Sequence, residues 1–263
     1  MEIGIVGLGI VGSACRAGFE HCGFNVTVHD TKLDTKINDV IDTEIVFICV
    51  PTPGKADGSC DTGIVEQVIH DLKRLDYQGI IAIKSTVEPG FTKRMISMYD
   101  DRILFVPEFL KERSAEYDFI FDQKLLLVGT DNAVHYYTVV RSHGALPKST
   151  KRISPTEAEL VKYYHNVFNA TRVVFANIFY ELSERLGADY SHVKDAFLVN
   201  SKLPDEYLDV QEDLRGYGGA CLPKDVNAIQ QLCDTLDLPY EFFKQLDIEN
   251  KKFKRTVFKG MRD

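Results

Sequence analysis

The chain has 263 residues, enough for one large or two small domains with a sizeable core, and the composition of an ordinary globular protein. Its net charge of −8 argues against a nucleic-acid-binding surface, and no apolar run approaches the ~20 residues of a membrane span. The six cysteines form no CxxC pair and no metal-like cluster with histidine, which favours reduced thiols in a cytoplasmic protein without a metal site.

The first 30 residues follow the pattern strand, glycine turn, helix, strand, and they begin with no signal peptide. In such a turn the first glycine permits the tight bend, the second lets a pyrophosphate approach the helix N-terminus, and the third permits close packing. An acid at the end of the second strand accepts hydrogen bonds from a ribose diol and repels a 2′-phosphate, which favours NAD over NADP. The predicted cofactor-binding residues here are Gly7, Gly9, Ile10, Val11, Gly12 and Asp30.

Further apolar strands alternate with helical segments as far as residue 153. The run 44–50 is almost continuously apolar, which is typical of a parallel strand buried on both faces. Polar or rigid segments follow three strands, at the edge where ligands bind in such sheets. The hydroxyls at 85 and 86 could instead cap the next helix, and the acids at 108 and 112 could form a solvated face. The pattern predicts a doubly wound α/β domain over residues 1–153, of the Rossmann type.

The second domain, residues 154–263, is predicted to be all-α and to begin with one long helix. Ser154 is a suitable N-cap, Pro155 suits the first turn and Glu157 completes a capping box. No helix breaker follows before Gly187, so one helix of about 32 residues is expected. Its apolar side chains suggest a surface shared with a second copy of the chain, and we expect a homodimer. The stripe comprises Val167, Phe168, Val174, Phe175, Ile178, Phe179 and Leu182.

The segment after residue 217 carries a cysteine in an unusual setting. Two glycines precede Cys221, Pro223 stiffens the exit, and Lys224 and Asp225 follow. If a helix starts near Pro223, its dipole and the neighbouring ammonium favour the thiolate. A cysteine that only packs in a core needs no such flanking residues. We therefore interpret Cys221 as a candidate nucleophile.

These motifs, in this order, resemble the UDP-glucose/GDP-mannose dehydrogenase family over most of residues 1–240. The resemblance rests on the glycine turn with Asp30 and on five further segments: Val50-Pro51-Thr52-Pro53, Ser85-Thr86-Val87-Glu88-Pro89-Gly90, Pro107-Glu108-Phe109-Leu110, Glu159-x-x-Lys162-x-x-x-Asn166 and Gly216-Tyr217-Gly218-Gly219-Ala220-Cys221-Leu222-Pro223-Lys224-Asp225. It implies an NAD-dependent enzyme that oxidises the primary alcohol of a nucleotide sugar to a carboxylate in two hydride transfers, typically UDP-glucose to UDP-glucuronate.

The resemblance also implies roles for individual residues. Cys221 attacks the intermediate aldehyde, Lys162 stabilises the developing oxyanion, and Asn166 positions that oxyanion or a water. Asp225 and Thr86 are the implied partners of the water. Glu108 and Glu112 match the family's pair of catalytic acids. One of them lies near the nicotinamide, and the other acts as acid/base or as the base of thioester hydrolysis. The implied further cofactor-binding residues are Pro51, Thr52, Ser85, Thr86, Glu112 and Lys224. The implied substrate-binding residues are Glu108, Phe109, Leu110, Lys162, Asn166, Lys202, Tyr207, Tyr217 and Gly218.

The chain departs from the family pattern in four places. It ends before the family's second α/β domain, and Lys202 stands where an arginine is usual. The run from Tyr207 to Gly216 is longer than usual, and Arg215 replaces an aromatic residue. Two other functions therefore stay open. One is a β-hydroxyacid dehydrogenase, which performs a single oxidation and needs no thiol. The other is a truncated, non-catalytic protein that binds NAD and a partner subunit.

Overall fold

The computed structural model describes residues 1–253, and these fall into two compact units. The first unit comprises Met1–Pro53 and Asp61–Lys162. The second comprises Gly54–Cys60 and Tyr163–Asp263, of which residues 254–263 lie outside the described part. The predicted domain boundary at residue 153 stays a prediction. The compact units differ from it by assigning the first two turns of the long helix to the first unit and the short segment 54–60 to the second.

The first unit is built on one sheet, which has seven strands within residues 1–253. The strand order is β2-β1-β3-β4-β5-β6-β7, and all neighbours are parallel except β5 and β6. The expected doubly wound α/β class is confirmed, with one antiparallel pair that the sequence did not predict. The strands are β1 (Glu2–Val6), β2 (Asn25–His29), β3 (Ile45–Ile48), β4 (Ile80–Ile83), β5 (Ile103–Phe105), β6 (Leu126–Gly129) and β7 (Thr150–Ile153).

Both faces of the sheet are buried, because successive side chains of each strand point to opposite faces. In β3, Val46 and Ile48 enter one hydrophobic cluster, and Ile45 and Phe47 enter the other. This explains why residues 44–50 show no polar alternation. The flanking helices are α1 (Ile10–His21), α2 (Gly63–Arg74), α3 (Phe91–Met98), α4 (Ala115–Phe121), α5 (Ala133–His143) and the start of α6 (Pro155–Leu186). Of these, α4 was not predicted.

The long helix α6 has the length and the start that the sequence predicts. Its 32 residues follow a capping box in which Ser154 N donates to Glu157 Oε2 at 2.8 Å. The rest of the second unit is also helical, with α7 (Tyr190–Ser201), α8 (Leu222–Thr235) and α9 (Phe242–Asn250). No helix within residues 1–253 combines the length and apolar character needed to cross a membrane.

Candidate active site

The glycine turn between β1 and α1 leaves room for a phosphate group. Gly7 has φ +92°, and a Cβ added there would lie 2.8 Å from the Cys49 backbone. A Cβ added at Gly12 would lie 2.0 Å from the carbonyl oxygen of Gly7, so both positions exclude a side chain. At Gly9, by contrast, a Cβ would meet no described atom within 4 Å. This open position precedes the N-terminus of α1, whose N–H groups suit an anion, so the turn fits the pyrophosphate of NAD.

The carboxylate of Asp30 is tied to the same turn. Its Oδ2 accepts from Leu8 N at 2.6 Å, and its Oδ1 accepts from Lys32 N at 2.8 Å. These backbone hydrogen bonds, the one from Leu8 first, lower the pKa of Asp30 below its ordinary value. Asp30 is therefore ionised at neutral pH, which suits an acceptor of ribose hydroxyls and opposes a 2′-phosphate.

We predict that Asp30→Ala weakens NAD binding roughly tenfold to a hundredfold, because hydrogen bonds to a charged group contribute ~1.5–3 kcal/mol. Asp34→Ala is the matched control, since Asp34 is an exposed acid that follows the same strand. Titration calorimetry with NAD measures both variants. Equal affinities of Asp30→Ala and the native protein would refute the ribose assignment.

Two further predicted cofactor segments follow β3 and β4. Ser85 is buried, and its Oγ donates to the carbonyl oxygen of Val50 at 2.7 Å. Its hydroxyl proton is therefore used to hold the segment that begins Pro51-Thr52. Thr86, the next residue, is half-buried. Their contacts with a cofactor stay predictions.

The two acids after β5 lie in different environments. Glu108 is buried, and its Oε2 lies 3.0 Å from Nζ of the buried Lys84. Glu112 is exposed and begins a single 3₁₀ turn. Lys162 donates from Nζ to the backbone carbonyl of Glu108 and lies 5.6 Å from the ring centre of Phe109. The structure thus brings together Glu108, Phe109 and Lys162. Glu108 is buried and Glu112 is exposed, so the two acids do not share one environment.

Glu159 holds the loop after β4 to the helix that carries Lys162. Its Oε2 accepts from Gly90 N at 2.6 Å and its Oε1 accepts from Thr92 N at 2.8 Å, at the N-terminus of α3. The side chain is wholly buried, and burial raises the pKa of Glu159 despite these hydrogen bonds. Glu159 belongs to the sequence motif that contains Lys162, but the sequence alone indicates no role for it. Its spacing of one helical turn before Lys162 was the available signal.

Cys221 occupies the N-cap of α8, as the proline two residues later predicts. Its carbonyl oxygen accepts from Asp225 N at 3.0 Å, which is the first turn of the helix. The residue is exposed, in contrast to the buried Cys15 and Cys60. A thiol at this position is accessible to a substrate and lies where a helix dipole favours negative charge.

Within the second unit, a buried polar network joins α6 to α8. Asp225 is fully buried, and its Oδ2 accepts from Asn166 Nδ2 at 2.5 Å. Its Oδ1 accepts from Lys224 Nζ at 2.7 Å, and that ammonium also lies 3.9 Å from Cys60 Sγ. Burial lowers the pKa of Lys224, but the negative charge of Asp225 outweighs this effect and the net pKa lies above the ordinary lysine value. Both carboxylate oxygens of Asp225 are thus held in fixed positions.

The segment that leads into the cysteine is held by α9. Asn250 Oδ1 accepts from Tyr217 N at 2.7 Å, and its Nδ2 donates to Tyr217 O at 2.9 Å. Gly216 has φ +75°, and a Cβ there would lie 2.8 Å from the Asn250 oxygen. Tyr217 itself is buried in a hydrophobic cluster, so its contact with a substrate stays a prediction, as does that of Gly218.

The loop that contains Tyr207 is held by residues that sequence reasoning missed. Arg172 donates to Pro204 O at 2.8 Å, and its guanidinium lies 5.9 Å from the Tyr207 ring centre. Lys194 pairs with Asp209 at 2.5 Å. The predicted substrate residue Lys202 is exposed at the C-cap of α7, with φ +56°. No short motif marks Arg172 or Lys194, because the hydrogen bonds to Pro204 and Asp209 join residues 32 and 15 positions apart.

Arg215, the departure from the family's aromatic residue, has a structural role. Its guanidinium lies 4.9 Å from the ring centre of Tyr180 and 5.2 Å from that of Phe253. It also pairs with Glu181 at 2.8 Å and donates to Asn177. The arginine thus stacks against aromatic rings at the position where the family has an aromatic side chain. Its contacts with α6 hold in place the residues that precede the cysteine segment.

Two family models match consecutive parts of the chain. Residues 29–142 match the NAD-binding domain of the UDP-glucose/GDP-mannose dehydrogenase family, and residues 156–252 match the central domain of that family. Together these matches cover most of the chain in the expected order. The chain belongs to the UDP-glucose/GDP-mannose dehydrogenase family. The predicted cofactor, NAD, is confirmed by the match to the family's NAD-binding domain.

Individual relatives from this family are longer than the chain. A UDP-glucose 6-dehydrogenase of Rickettsia bellii is 26% identical, and the match covers 88% of this chain and 62% of the relative. A UDP-glucose dehydrogenase structure from Pyrobaculum islandicum superposes with a TM-score of 0.86 at 26% identity, covering 95% of this chain and 68% of that one. The chain therefore spans less than two thirds of the Rickettsia protein, and its own activity, substrate and partners are matters for proposal.

The fold is also shared with a simpler dehydrogenase. A 3-hydroxyisobutyrate dehydrogenase from Mycobacterium tuberculosis superposes with a TM-score of 0.77, covering 95% of this chain and 93% of that one, at 14% identity. Identity at this level shows the fold alone. The family to which the chain belongs is one of dehydrogenases with an NAD-binding domain, and the roles of the individual site residues stay predictions.

Proposed function

We propose that this protein catalyses the NAD-dependent, two-step oxidation of the primary alcohol of a nucleotide sugar to a carboxylate, with UDP-glucose as substrate and UDP-glucuronate as product. The observation that carries the proposal is the exposed thiol of Cys221 at the N-cap of α8, in the turn whose Asp225 forms a buried pair with Asn166. A single-step alcohol dehydrogenase has no use for a nucleophile in this position.

The chemistry requires two hydride removals from one carbon, and bound NAD supplies the acceptor for each of them. The first removal, together with loss of the hydroxyl proton to a base, converts the alcohol to an aldehyde. The Cys221 sulfur then adds to the aldehyde carbon, and the oxygen takes a proton to give a thiohemiacetal. Loss of a second hydride and of the hydroxyl proton gives a thioester. Water then adds to the thioester carbon and the thiolate leaves, so that the carboxylate is released and Cys221 is restored.

The chain supplies groups suited to each of these steps. The ammonium of Lys162 suits stabilisation of the oxyanions, and Asn166 suits positioning of that oxygen or of the water. Asp225 suits a role as partner of the water, together with the hydroxyl of Thr86. Glu108, the buried acid, suits the base that activates the water, because its carboxylate is already held in place.

The test is a survey of nucleotide sugars, with NADH formation as the signal. The proposal predicts turnover with UDP-glucose above that with GDP-mannose and UDP-N-acetylmannosamine. Turnover of a small β-hydroxyacid instead would favour the single-step alternative. Binding of NAD without reduction by any sugar nucleotide would favour the non-catalytic alternative and reject the proposed function.

We also propose that two copies of the chain associate through α6. Its apolar stripe is buried at Val167 and Val174, but Phe175, Phe179 and Leu182 are each between 41% and 49% exposed. Phe175 and Phe179 lie one turn apart with ring centres at 4.6 Å, so they present one apolar surface. A helix that continues this pattern over 32 residues suits a second copy of itself.

Sedimentation at micromolar concentration is expected to show a dimer, and Phe175→Glu with Phe179→Glu is expected to shift it to the monomer. The control is Tyr137→Glu, which introduces one glutamate at a 67% exposed aromatic residue on α5, outside the proposed interface. A native protein that sediments as a monomer would refute the proposed association through α6.

A further inference from the structure

The first unit contains a lysine that the proposed mechanism does not use. Lys84 directly follows β4, and its side chain is fully buried. Its Nζ lies 5.8 Å from the ring centre of Phe47 and 5.6 Å from that of Phe119. An ammonium among apolar rings has lost its hydration, and it is retained in proteins only where a counter-charge offsets that cost.

The counter-charge is Glu108, whose Oε2 lies 3.0 Å from Lys84 Nζ. The other groups that act on Lys84 are the thiols of Cys15 on α1 and Cys49 after β3. Burial lowers the pKa of Lys84, but the negative charge of Glu108, the largest of the opposing effects, raises it to about 12. The lysine is therefore charged at any pH at which the enzyme would work.

His143 on α5 does not compete for this role. Burial, and then the charge of Lys84, lower the pKa of His143 to about 3, so its ring is neutral. The Cys15 thiol is kept neutral as well, because burial raises its pKa well above the ordinary value. The opposite charges of this buried cluster are thus concentrated in Lys84 and Glu108.

Glu108 connects this ion pair to a second lysine, Lys162, through its backbone. Its Oε1 accepts from the next backbone amide, Phe109 N, at 2.9 Å. Its carbonyl oxygen accepts from Lys162 Nζ. The side chain of Glu108 is therefore fixed by Lys84 at one oxygen and by its own backbone at the other. The same peptide unit receives the lysine that is proposed to stabilise the oxyanion.

We propose that Lys84 is a positioning residue, which holds Glu108 as an ionised carboxylate in one orientation and thereby fixes the carbonyl group that binds Lys162. This inference rests on the proposed function, in which Glu108 activates water and Lys162 stabilises the oxyanion. Lys84 needs no contact with substrate, since its effect passes through Glu108.

The first test is the pH dependence of NADH formation from the nucleotide-sugar aldehyde, which isolates the second oxidation and hydrolysis. In Lys84→Met, Glu108 is buried without a counter-charge and ionises only at higher pH. The rate near neutral pH is expected to fall about tenfold or more, and the acidic limb of the profile to move up by about one pH unit or more. A purely structural role would lower the rate at every pH alike.

Lys73→Met is the matched control. Lys73 pairs with Asp100 at 2.8 Å in the same unit, so this variant also removes one ion-paired lysine. It is expected to leave the pH profile unchanged. If Lys84→Met does not fold, the residual rates of Glu108→Gln and of Lys84→Met/Glu108→Gln are compared instead. On the Glu108→Gln background Lys84 has no carboxylate to position, so its replacement is expected to leave the residual rate unchanged. A further loss there would overturn the proposal.

The second test needs no activity. In Lys84→Met the folded state keeps a proton on Glu108 that the unfolded chain releases near pH 4.3, so the folded state binds more protons above that pH. The stability of Lys84→Met is expected to fall as pH rises from there, whereas Lys84→Met/Glu108→Gln is expected to lack this slope. Absence of the slope would overturn the proposal even in an active enzyme. A slope in a protein that oxidises no sugar nucleotide would reject the proposed function and keep Lys84 as the counter-ion of Glu108.

Discussion

Cys221→Ser is expected to complete one oxidation and to stall before the second. Serine is a weaker nucleophile than a thiolate, so the aldehyde is not captured as a thiohemiacetal and its oxidation to an acyl intermediate slows. The loss in carboxylate formation should be on the order of a thousand-fold or more, as for other enzymes that lose a nucleophile. Rapid-quench analysis of the sugar product, with NADH measured in parallel, gives the amounts of alcohol, aldehyde, ester adduct and acid.

The matched control is Cys233→Ser, a half-buried cysteine of the same helix α8. It introduces the same chemical change outside the predicted site, and native turnover is expected. Formation of the full amount of carboxylate by Cys221→Ser at the native rate would refute the thioester route. It would leave the family assignment intact, because that assignment rests on the sequence matches.

Asp225→Asn is expected to cost about 3–5 kcal/mol in the free energy of unfolding, because it leaves the Lys224 ammonium buried without a counter-charge. The exposures of the two side chains, 14% for Lys224 and 1% for Asp225, place the pair in the interior of the unit. Asparagine keeps the shape of aspartate, so the loss reports the charge rather than a cavity. Chemical denaturation followed by circular dichroism measures it.

The pH dependence of this variant has a defined sign. In the native protein the pKa of Lys224 is raised, so its stabilising contribution is complete below the ordinary lysine pKa and is lost as pH rises through the folded-state value. In Asp225→Asn the main opposing charge is gone and burial lowers that pKa, so the stability of the variant should increase as pH rises towards about 10.

Asp247→Asn supplies the comparison for Asp225→Asn. It breaks the pair with Lys251, which is 2.5 Å long but has a 56% exposed lysine, and should cost less than about 1 kcal/mol. Equal losses in the two variants would show that the buried network of Asp225 contributes no more than a surface ion pair.

The elements that the sequence predicted well are those with local signals. The glycine turn, the capping box at Ser154 and the absence of a breaker before Gly187 define β1, α1 and α6 from neighbouring residues alone. The N-cap position of Cys221 follows in the same way from Pro223. In each case the deciding interaction lies within a few residues along the chain.

The residues that sequence reasoning missed act over long separations. Asn250 holds Tyr217 from 33 positions away, and Glu159 holds Gly90 from 69. In the sequence, Lys84 stands at the end of an apolar strand, and none of the neighbouring residues indicates that it pairs with Glu108. The antiparallel pairing of β5 with β6 rests on one pair of residues, Phe105 with Gly129, and has no local pattern. These features depend on tertiary packing, which periodicity does not encode.

The number of NADH molecules formed per nucleotide sugar consumed is the most direct test of the central claim, that Cys221 turns an alcohol dehydrogenase into an enzyme that makes an acid. With limiting UDP-glucose and excess NAD, run to completion, the account predicts two NADH and one carboxylate per sugar. One NADH per sugar with aldehyde as the product would contradict it, because a single oxidation does not require the thiol.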